Sequence, residues 1–294
     1  MSIIRALPFA DYMSTGHVGI HMLCDFASRG AGYFYHRYVS GKIPRTTSRS
    51  FDFGTAFHVY VLEGEQEYAR HIAIRPETYM GRESQKKDAP LVEKPWNSNA
   101  TACKEWIEEQ ESHGKTVLRR EDELTIFSMA NRLRNYQDTA RLLGSGSPEV
   151  TIRAEEAGVP VQCRADWITG KADPMSWTDL VDVKTCDDLN GFANDIFRLK
   201  YDRQAAWYQW LVQQETGLSL PWSFVAIEKA MPHRIGVFRL SERALGRAHE
   251  LNMHDLDRLS KFWAANDWPV EDLGVTEVDL PRWLQGSSYD LHVA

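Results

Sequence analysis

The sequence predicts an α/β protein whose central mixed β-sheet is flanked by helices and preceded by a mainly helical N-terminal region. From residue 149 onward, the apolar spacing predicts three strands, two helices, two strands and one helix, in that order. Before that point, the longest periodic segment has apolar residues three and four apart, as in an amphipathic helix. A single domain is expected, with a mainly helical part (1–148), a core sheet (149–240) and a C-terminal helix with an acidic tail (241–294).

The elements of the N-terminal part follow from stop signals and apolar spacing. A helix that begins near Gly54 is predicted to end at Gly64, because glycine favours helix C-termini, and His58 lies inside it among apolar neighbours. Polar residues, proline and glycine dominate from Pro76 to Asn99, which predicts a long loop. Two further helices are predicted over 102–111 and 121–143.

The core elements follow a break at "GSGSP". The segment "EVTIRAEEAGVPVQCRADWITG" has the pattern of two strands joined by a tight turn at Ala157 and Gly158. The segment "WTDLVDVKT" is predicted to form a third strand. The remaining predicted elements are helices over 188–200 and 201–217, a strand pair within 221–241, and a helix from Glu242 to Ala265.

Composition limits the class of protein. The 294 residues are 43% hydrophobic and 26% charged, which is typical of a soluble globular chain. No apolar run approaches the roughly 20 residues needed to cross a bilayer, and the opening "MSIIRALPFADYM" lacks the pattern of a secretory signal. The four cysteines show no CxxC spacing, which argues against zinc ribbons, iron–sulfur clusters and disulfides. A cytoplasmic protein of a bacterium or a phage-infected host is expected.

The net charge of −7 argues against a nucleic-acid partner, but the charges are unevenly distributed. The segment 27–50 holds five basic residues and no acid, and it is interleaved with four aromatic residues. Such a stretch suits a phosphate backbone with bases available for stacking. An equally good interpretation is a solvated loop whose aromatics pack inward. The acidic segment 266–294 is expected to lie away from any DNA. The basic candidates for DNA binding are Arg29, Arg37, Lys42, Arg45 and Arg49.

Polar residues lie on apolar elements where packing alone would not require them. Asp166 and the pair Asp182 and Lys184 fall on neighbouring predicted strands, where side chains can approach to about 5 Å. Two buried carboxylates repel each other unless a cation lies between them, and oxygen ligands without cysteine favour Mg²⁺ or Mn²⁺. A lysine beside them can orient a water molecule or stabilise charge on a phosphate. Three further polar residues accompany this set: Glu149, Gln204 and Tyr208.

Each of these residues alone has an ordinary structural explanation. Most Asp-x-Lys pairs on strands are exposed ion pairs worth about 0.5 kcal/mol. Asp166 could cap a turn, and a histidine on an apolar helix is more often a hydrogen-bonded core residue than a metal ligand. The order in which the residues occur together is what favours a functional site.

That order resembles a known family. The motifs "GTAFH", "DVK" and "QAAWYQ", with Glu149 and Asp166 between the first two, are similar to those of the PD-(D/E)XK nuclease superfamily. The greatest similarity is to the branch with exodeoxyribonuclease VIII (RecE) and the nuclease domain of RecB. The resemblance covers roughly residues 51–240 and implies a restriction-endonuclease-like core. The chain departs from the pattern at Asp182, where many relatives have Glu, and at Ala165, which replaces the proline before Asp166.

The resemblance implies a role for each matching residue. His58, Asp166, Asp182 and the backbone carbonyl of Val183 would bind one Mg²⁺ or Mn²⁺ ion. Lys184 would position or activate the attacking water. Three residues would have supporting roles: Glu149 at a second ion or its water shell, and Gln204 and Tyr208 in holding the lysine and contacting the DNA backbone.

The implied activity is exonucleolytic degradation of double-stranded DNA from its ends, in the 5′ to 3′ direction. The product would be a 3′ single-stranded tail for a recombinase or single-strand annealing protein. A ring-shaped homo-oligomer and a phage or prophage origin are also implied. Three alternatives stay open: an endonuclease or structure-specific nuclease on the same fold, a DNA-binding relative without catalysis, and an α/β protein unrelated to nucleic acids.

Overall fold

The computed structural model describes residues 2–5, 7–44, 49–84, 86, 88–270, 272 and 274–280. These residues form a mixed six-stranded sheet with helices on both faces, which confirms the predicted fold class. The strands of this sheet, in spatial order, are β1 (Ser2–Ile4), β6 (Gly146–Glu156), β7 (Val159–Thr169), β8 (Asp179–Cys186), β9 (Trp222–Glu228) and β10 (Ile235–Phe238).

All neighbouring strands of the sheet are antiparallel except β8 and β9. A parallel pair needs a crossover, and two helices supply it, α8 (Phe192–Arg198) and α9 (Tyr201–Thr216). The turn between β6 and β7 has positive φ at both Ala157 (50°) and Gly158 (75°), as expected for a two-residue hairpin turn. The predicted hairpin is therefore confirmed.

The remaining described helices belong to the N-terminal part or follow the sheet: α1 (Phe9–Ser14), α2 (Ile20–Phe34), α3 (Arg49–His58), α4 (Glu65–His71), α5 (Thr101–Ser112), α6 (Arg120–Arg134), α7 (Gln137–Leu143) and α10 (Glu242–Ala265). Single π-helical turns extend α2 over Tyr35–Val39 and α3 over Val59–Glu63. Two small sheets complete the fold, one of β2 (Ile72–Ile74) with β5 (Thr116–Leu118) and one of β3 (Thr78–Arg82) with β4 (Leu91–Pro95).

The sheet separates two apolar cores because successive strand residues point to opposite faces. On one face, strand residues such as Leu180 and Phe224 pack with α2, α9 and α10. On the other, Val181, Val183 and Val225 pack with α3, α6 and α7. Asp182 and Lys184 have the parity of Leu180, so they are directed towards α9.

Three sequence predictions need correction. The predicted helix 121–143 is two helices, because the Asn135 amide and the Thr139 hydroxyl bond backbone carbonyls at the break. The predicted loop from Pro76 to Asn99 contains β3 and β4, whose alternate residues are exposed and carry no apolar pattern. Helix α3 begins at Arg49, five residues before the predicted Gly54. Among the described residues, no helix is long and apolar enough to span a membrane.

Candidate active site

The sheet register places Asp166 and Asp182 next to the last residue pair of the β7–β8 ladder, Trp167 with Val181. Beyond that pair, the carboxylate of Asp166 accepts a hydrogen bond from the backbone N–H of Val183 at 3.1 Å. Strand pairing and this hydrogen bond therefore bring the two aspartates close together.

Asp182 is fully buried and has two polar partners. Its Oδ1 accepts hydrogen bonds from Lys184 Nζ at 2.8 Å and from Gln204 Nε2 at 2.9 Å. Its Oδ2 lies 2.6 Å from Lys184 Nζ but accepts no hydrogen bond of normal geometry from the residues that the structure describes. Among the same residues, none donates a hydrogen bond to the buried amide oxygen of Gln204. The site therefore has acceptor oxygens whose hydrogen-bonding capacity is not filled.

Helix α3 brings His58 to the two strands. Its neighbours Ala56 and Phe57 are buried in the core, which fixes this turn of the helix against the sheet. His58 Nδ1 lies 3.6 Å from Asp166 Oδ2, the same oxygen that accepts the hydrogen bond from the Val183 N–H. The three side chains that the resemblance implies as metal ligands therefore lie close to one another.

Burial and charge together shift the pKa values of this cluster. Burial raises the pKa of Asp182 to about 6, with the nearby Lys184 opposing the shift and Asp166 adding to it. Burial also raises the pKa of Asp166, again against the effect of Lys184. For Lys184, burial acts to lower the pKa, but the two carboxylates outweigh it and raise the pKa overall. Burial, then Lys184, lowers the pKa of His58 to about 4, so its imidazole is neutral at pH 7.

The donor set fits a hard divalent cation. Two carboxylates, a neutral imidazole and a backbone carbonyl are suitable ligands for Mg²⁺ or Mn²⁺. A cation would also relieve the cost of two buried carboxylates that share a single ammonium group. Within the described part of the chain, no three His, Cys, Asp or Glu side chains are already arranged as a metal site. The ligand set stays a prediction.

Glu149 lies beside this cluster in an unusual backbone conformation, with φ of 53°. Its carboxylate forms a partly buried ion pair with Arg164, which also donates to the carbonyl of Leu7. Burial, followed by repulsion from Asp166, raises the pKa of Glu149 to about 7 against the effect of Arg164. Sequence reasoning missed Arg164, although its position two residues before Asp166 places both on one face of β7.

The side chains of helix α9 contact other residues of the site than predicted. Gln204 contacts Asp182, whereas it was expected to hold Lys184. Tyr208 is buried and packs edge-on against Trp222, with ring centroids 5.4 Å apart. The ring that covers Lys184 belongs to Tyr201, whose centroid is 4.9 Å from Nζ. Sequence reasoning missed Tyr201, although it lies three residues before Gln204 and so shares its helix face.

The site opens into a cleft of about 2160 Å³. Its wall includes all but one of the predicted side chains of the site, since Asp182 lies beneath Lys184 and Gln204. Arg37 and Arg164 also contribute to the wall. The predicted site residues on the wall are His58, Glu149, Asp166, Lys184, Gln204 and Tyr208.

The basic candidates for DNA binding are spread more widely. Arg37 lines the cleft and donates to the carbonyl of Ile43 at 2.8 Å. Arg29 lies over the ring of Tyr33, and Lys42 is exposed, and neither lines the cleft. Arg45 and the side chain of Arg49 fall outside the described residues.

Three aromatic residues of the same segment contact other side chains of the protein. Phe34 and Tyr35 both stack on Trp268, at centroid distances of 5.5 and 5.9 Å. The Tyr38 hydroxyl donates to the carboxylate of Asp25 at 2.6 Å. Within residues 27–44, α2 and its π-helical turn take the place of the expected loop. The alternative in which the aromatics pack inward therefore describes these three rings better than base stacking.

The fold and the sequence of the chain are similar to those of known proteins. The chain has a fold similar to that of a protein from Eubacterium rectale whose crystal structure is described as that of a "Putative exonuclease", with a TM-score of 0.61 and 13% sequence identity. The match covers 97% of this chain and 100% of the other. No curated protein sequence matches the chain significantly. Residues 35–275 match the family described as "PDDEXK-like domain of unknown function (DUF3799)". The chain therefore belongs to this family of PDDEXK-like domains, within the PD-(D/E)XK nuclease superfamily.

Proposed function

We propose that the protein is a divalent-metal-dependent exodeoxyribonuclease that degrades double-stranded DNA from its ends. Membership in a PDDEXK-like family supports a nuclease. The observation that supports the finer proposal is that His58, Asp166 and Lys184 line one open cleft, with the buried Asp182 carboxylate in contact with Lys184. We infer a 5′ to 3′ direction that leaves 3′ single-stranded tails for recombination, from the resemblance to RecE-type enzymes.

In this mechanism, His58, Asp166, Asp182 and the Val183 carbonyl would hold the cation. The cation, when bound, supplies electrostatic stabilisation of the negative charge that builds up on the phosphodiester during hydrolysis. Lys184 is protonated at neutral pH because the adjacent carboxylates raise its pKa. Its ammonium group is therefore a hydrogen-bond donor that orients the attacking water and stabilises phosphate oxygens, and it is not the base that accepts the proton.

Glu149 is the candidate base or second-ion ligand of the site. Its pKa of about 7 allows its carboxyl group to accept a proton near neutral pH. Arg164 holds this carboxylate at the cleft wall. We also propose duplex DNA ends as the substrate, a recombinase or annealing protein as partner, and a ring-shaped homo-oligomer as the working form.

The test compares linear and covalently closed circular duplex DNA with Mg²⁺ or Mn²⁺. Release of mononucleotides from linear DNA alone, faster from a 5′ label than from a 3′ label, is the expected result. The matched control is Asp179→Asn, since Asp179 is a buried aspartate of β8 that is paired with Arg239 and lies outside the cleft. Cleavage of the circular substrate would indicate an endonuclease. Activity that persists in EDTA would contradict the metal requirement.

A further inference from the structure

The ion pair with Asp182 holds the ammonium group of Lys184 from one side. Asp182 binds its ammonium group through both carboxylate oxygens, at 2.8 and 2.6 Å. A lysine side chain has four rotatable bonds, and its ammonium group is a point charge without a preferred direction. A second contact is therefore needed to fix where the ammonium group lies relative to a bound phosphate.

Tyr201 supplies that second contact. Its ring centroid lies 4.9 Å from Lys184 Nζ, within the range of a cation–π interaction, and the residue lines the cleft. The ring is itself supported from behind by Phe192 and Phe224, at centroid distances of 6.4 and 6.1 Å. Both of these phenylalanines are almost completely buried, so the support is rigid.

The chain places Tyr201 at this position by the way in which α9 begins. Lys200 has φ of 64° and ψ of 25°, a left-handed conformation that ends the preceding turn and makes Tyr201 the first residue of α9. Gln204 follows three residues later on the same helix face and binds Asp182. One face of α9 thus contacts both members of the Asp182 and Lys184 pair.

We propose that Tyr201 is a positioning residue for Lys184, acting through the face of its aromatic ring. The ring and the Asp182 carboxylate hold the ammonium group between them and direct it towards the cleft. Phenylalanine at this position keeps the aromatic ring and is expected to hold the Lys184 ammonium group as tyrosine does. Leucine keeps an apolar side chain but has no ring, and is expected not to hold it. The kinetic part of this inference rests on the proposed nuclease function.

The kinetic test compares Tyr201→Phe and Tyr201→Leu with the wild-type protein on linear duplex DNA. We expect Tyr201→Leu to lower kcat by about tenfold, the size expected for loss of one cation–π contact, with little change in KM. Tyr201→Phe is expected to stay close to wild type. The control is Tyr136→Leu, which removes a tyrosine ring from a similar contact with Arg132 (5.8 Å) outside the cleft.

A second readout does not depend on cleavage. NMR spectra are recorded on metal-free protein labelled with ¹³C at lysine Cε. The Lys184 resonance is assigned as the one that is absent from the spectrum of Lys184→Arg. The ring current of Tyr201 is expected to shift the attached protons upfield in wild type and Tyr201→Phe, and the shift is expected to vanish in Tyr201→Leu.

The outcomes separate this inference from the proposed function. An unchanged Lys184 shift in Tyr201→Leu, or equal losses of kcat in the Phe and Leu variants, would overturn the positioning role. A wild-type protein that cleaves no DNA would instead overturn the proposed function, and the resonance shift would still decide whether the ring holds the ammonium group.

Discussion

Helix α9 carries two neighbouring buried polar residues that face two differently built charged clusters. Arg203 donates to Asn252 and Asp255 of α10, each at 2.7 Å, and Asn252 returns a hydrogen bond to the Arg203 carbonyl at 2.9 Å. Gln204 faces the site, where two carboxylates share one ammonium group and Asp182 Oδ2 accepts no normal hydrogen bond from any described residue. In the first cluster one carboxylate, Asp255, has two guanidinium partners, Arg203 and Arg258, whereas in the second the negative charge is in excess.

The two clusters show how a structural ion pair can be distinguished from a candidate active site. A buried ion pair is tolerated when each charge has a partner and further hydrogen bonds satisfy the remaining atoms, as around Arg203. Excess buried negative charge raises carboxylate pKa values and favours binding of a cation. The Arg203 cluster is therefore expected to stabilise the fold, whereas the Asp182 cluster is expected to bind a ligand.

The largest effect is expected from Asp182→Asn. The substitution keeps the shape of the side chain but removes a charge that the cation requires, so we expect nuclease activity to fall by about 10³-fold or more, with stability unchanged or increased. Activity on end-labelled duplex DNA and urea unfolding measure the two quantities. A variant that retains activity, or one that unfolds, would remove the proposed contrast between the clusters.

The opposite behaviour is expected from Arg203→Ala. Asp255 would stay buried, with only Arg258 at 3.6 Å as a described cationic partner, and we expect stability to fall by about 3 kcal/mol or more. Urea denaturation gives the value. A decrease of less than about 1 kcal/mol in the free energy of unfolding would show that the Arg203 cluster is not a main source of stability.

How much of the site could be predicted from the sequence depends on the range of the contacts. Alternation on β8 places Asp182 and Lys184 on one face, and strand pairing places Asp166 close to them, so these positions follow from local pattern. His58 lies more than a hundred residues earlier in the chain, and only the resemblance indicated it. Tyr201 was missed because its contact with Lys184 depends on how α9 packs against the sheet.

For the fold, too, the features that follow from local apolar patterns were predictable and others were not. The βαβ core was predictable because its apolar periods are strong, and the strand and helix order agrees with the structure. The break between α6 and α7 was not, because hydrogen bonds from Asn135 and Thr139 to the backbone interrupt an apolar stripe that continues through both helices. Strands β3 and β4 were missed because they are largely exposed.

Addition of a divalent metal is expected to stabilise the folded protein through the Asp182 cluster and not through the Arg203 cluster. With free Mn²⁺ at about 100 times its dissociation constant, the wild-type protein should gain about 2.7 kcal/mol in the free energy of unfolding. The gain should be absent in Asp182→Asn and present in Asp179→Asn. Thermal unfolding with Mn²⁺ and after EDTA treatment makes the comparison, and an equal gain in both variants would place the ion elsewhere.

A smaller effect is expected from pH in the metal-free protein. The pKa of Asp182 rises from an ordinary 3.8 to about 6 on folding, so the protonated group contributes stability that is complete below pH 4 and is lost as pH rises through 6. Relative to Asp182→Asn, the wild-type protein should therefore lose on the order of 2 kcal/mol between pH 4 and pH 7. Urea unfolding at each pH measures the difference. A wild-type protein that gains stability relative to the variant would contradict the sign.

The metal site can be located in a crystal of the wild-type protein grown with Mn²⁺, from the anomalous scattering of the ion. We expect a peak bound by the carboxylates of Asp166 and Asp182, the imidazole of His58 and the carbonyl of Val183, with Lys184 beside it. A peak elsewhere in the cleft, or none there at saturating Mn²⁺, would rule out this ligand set.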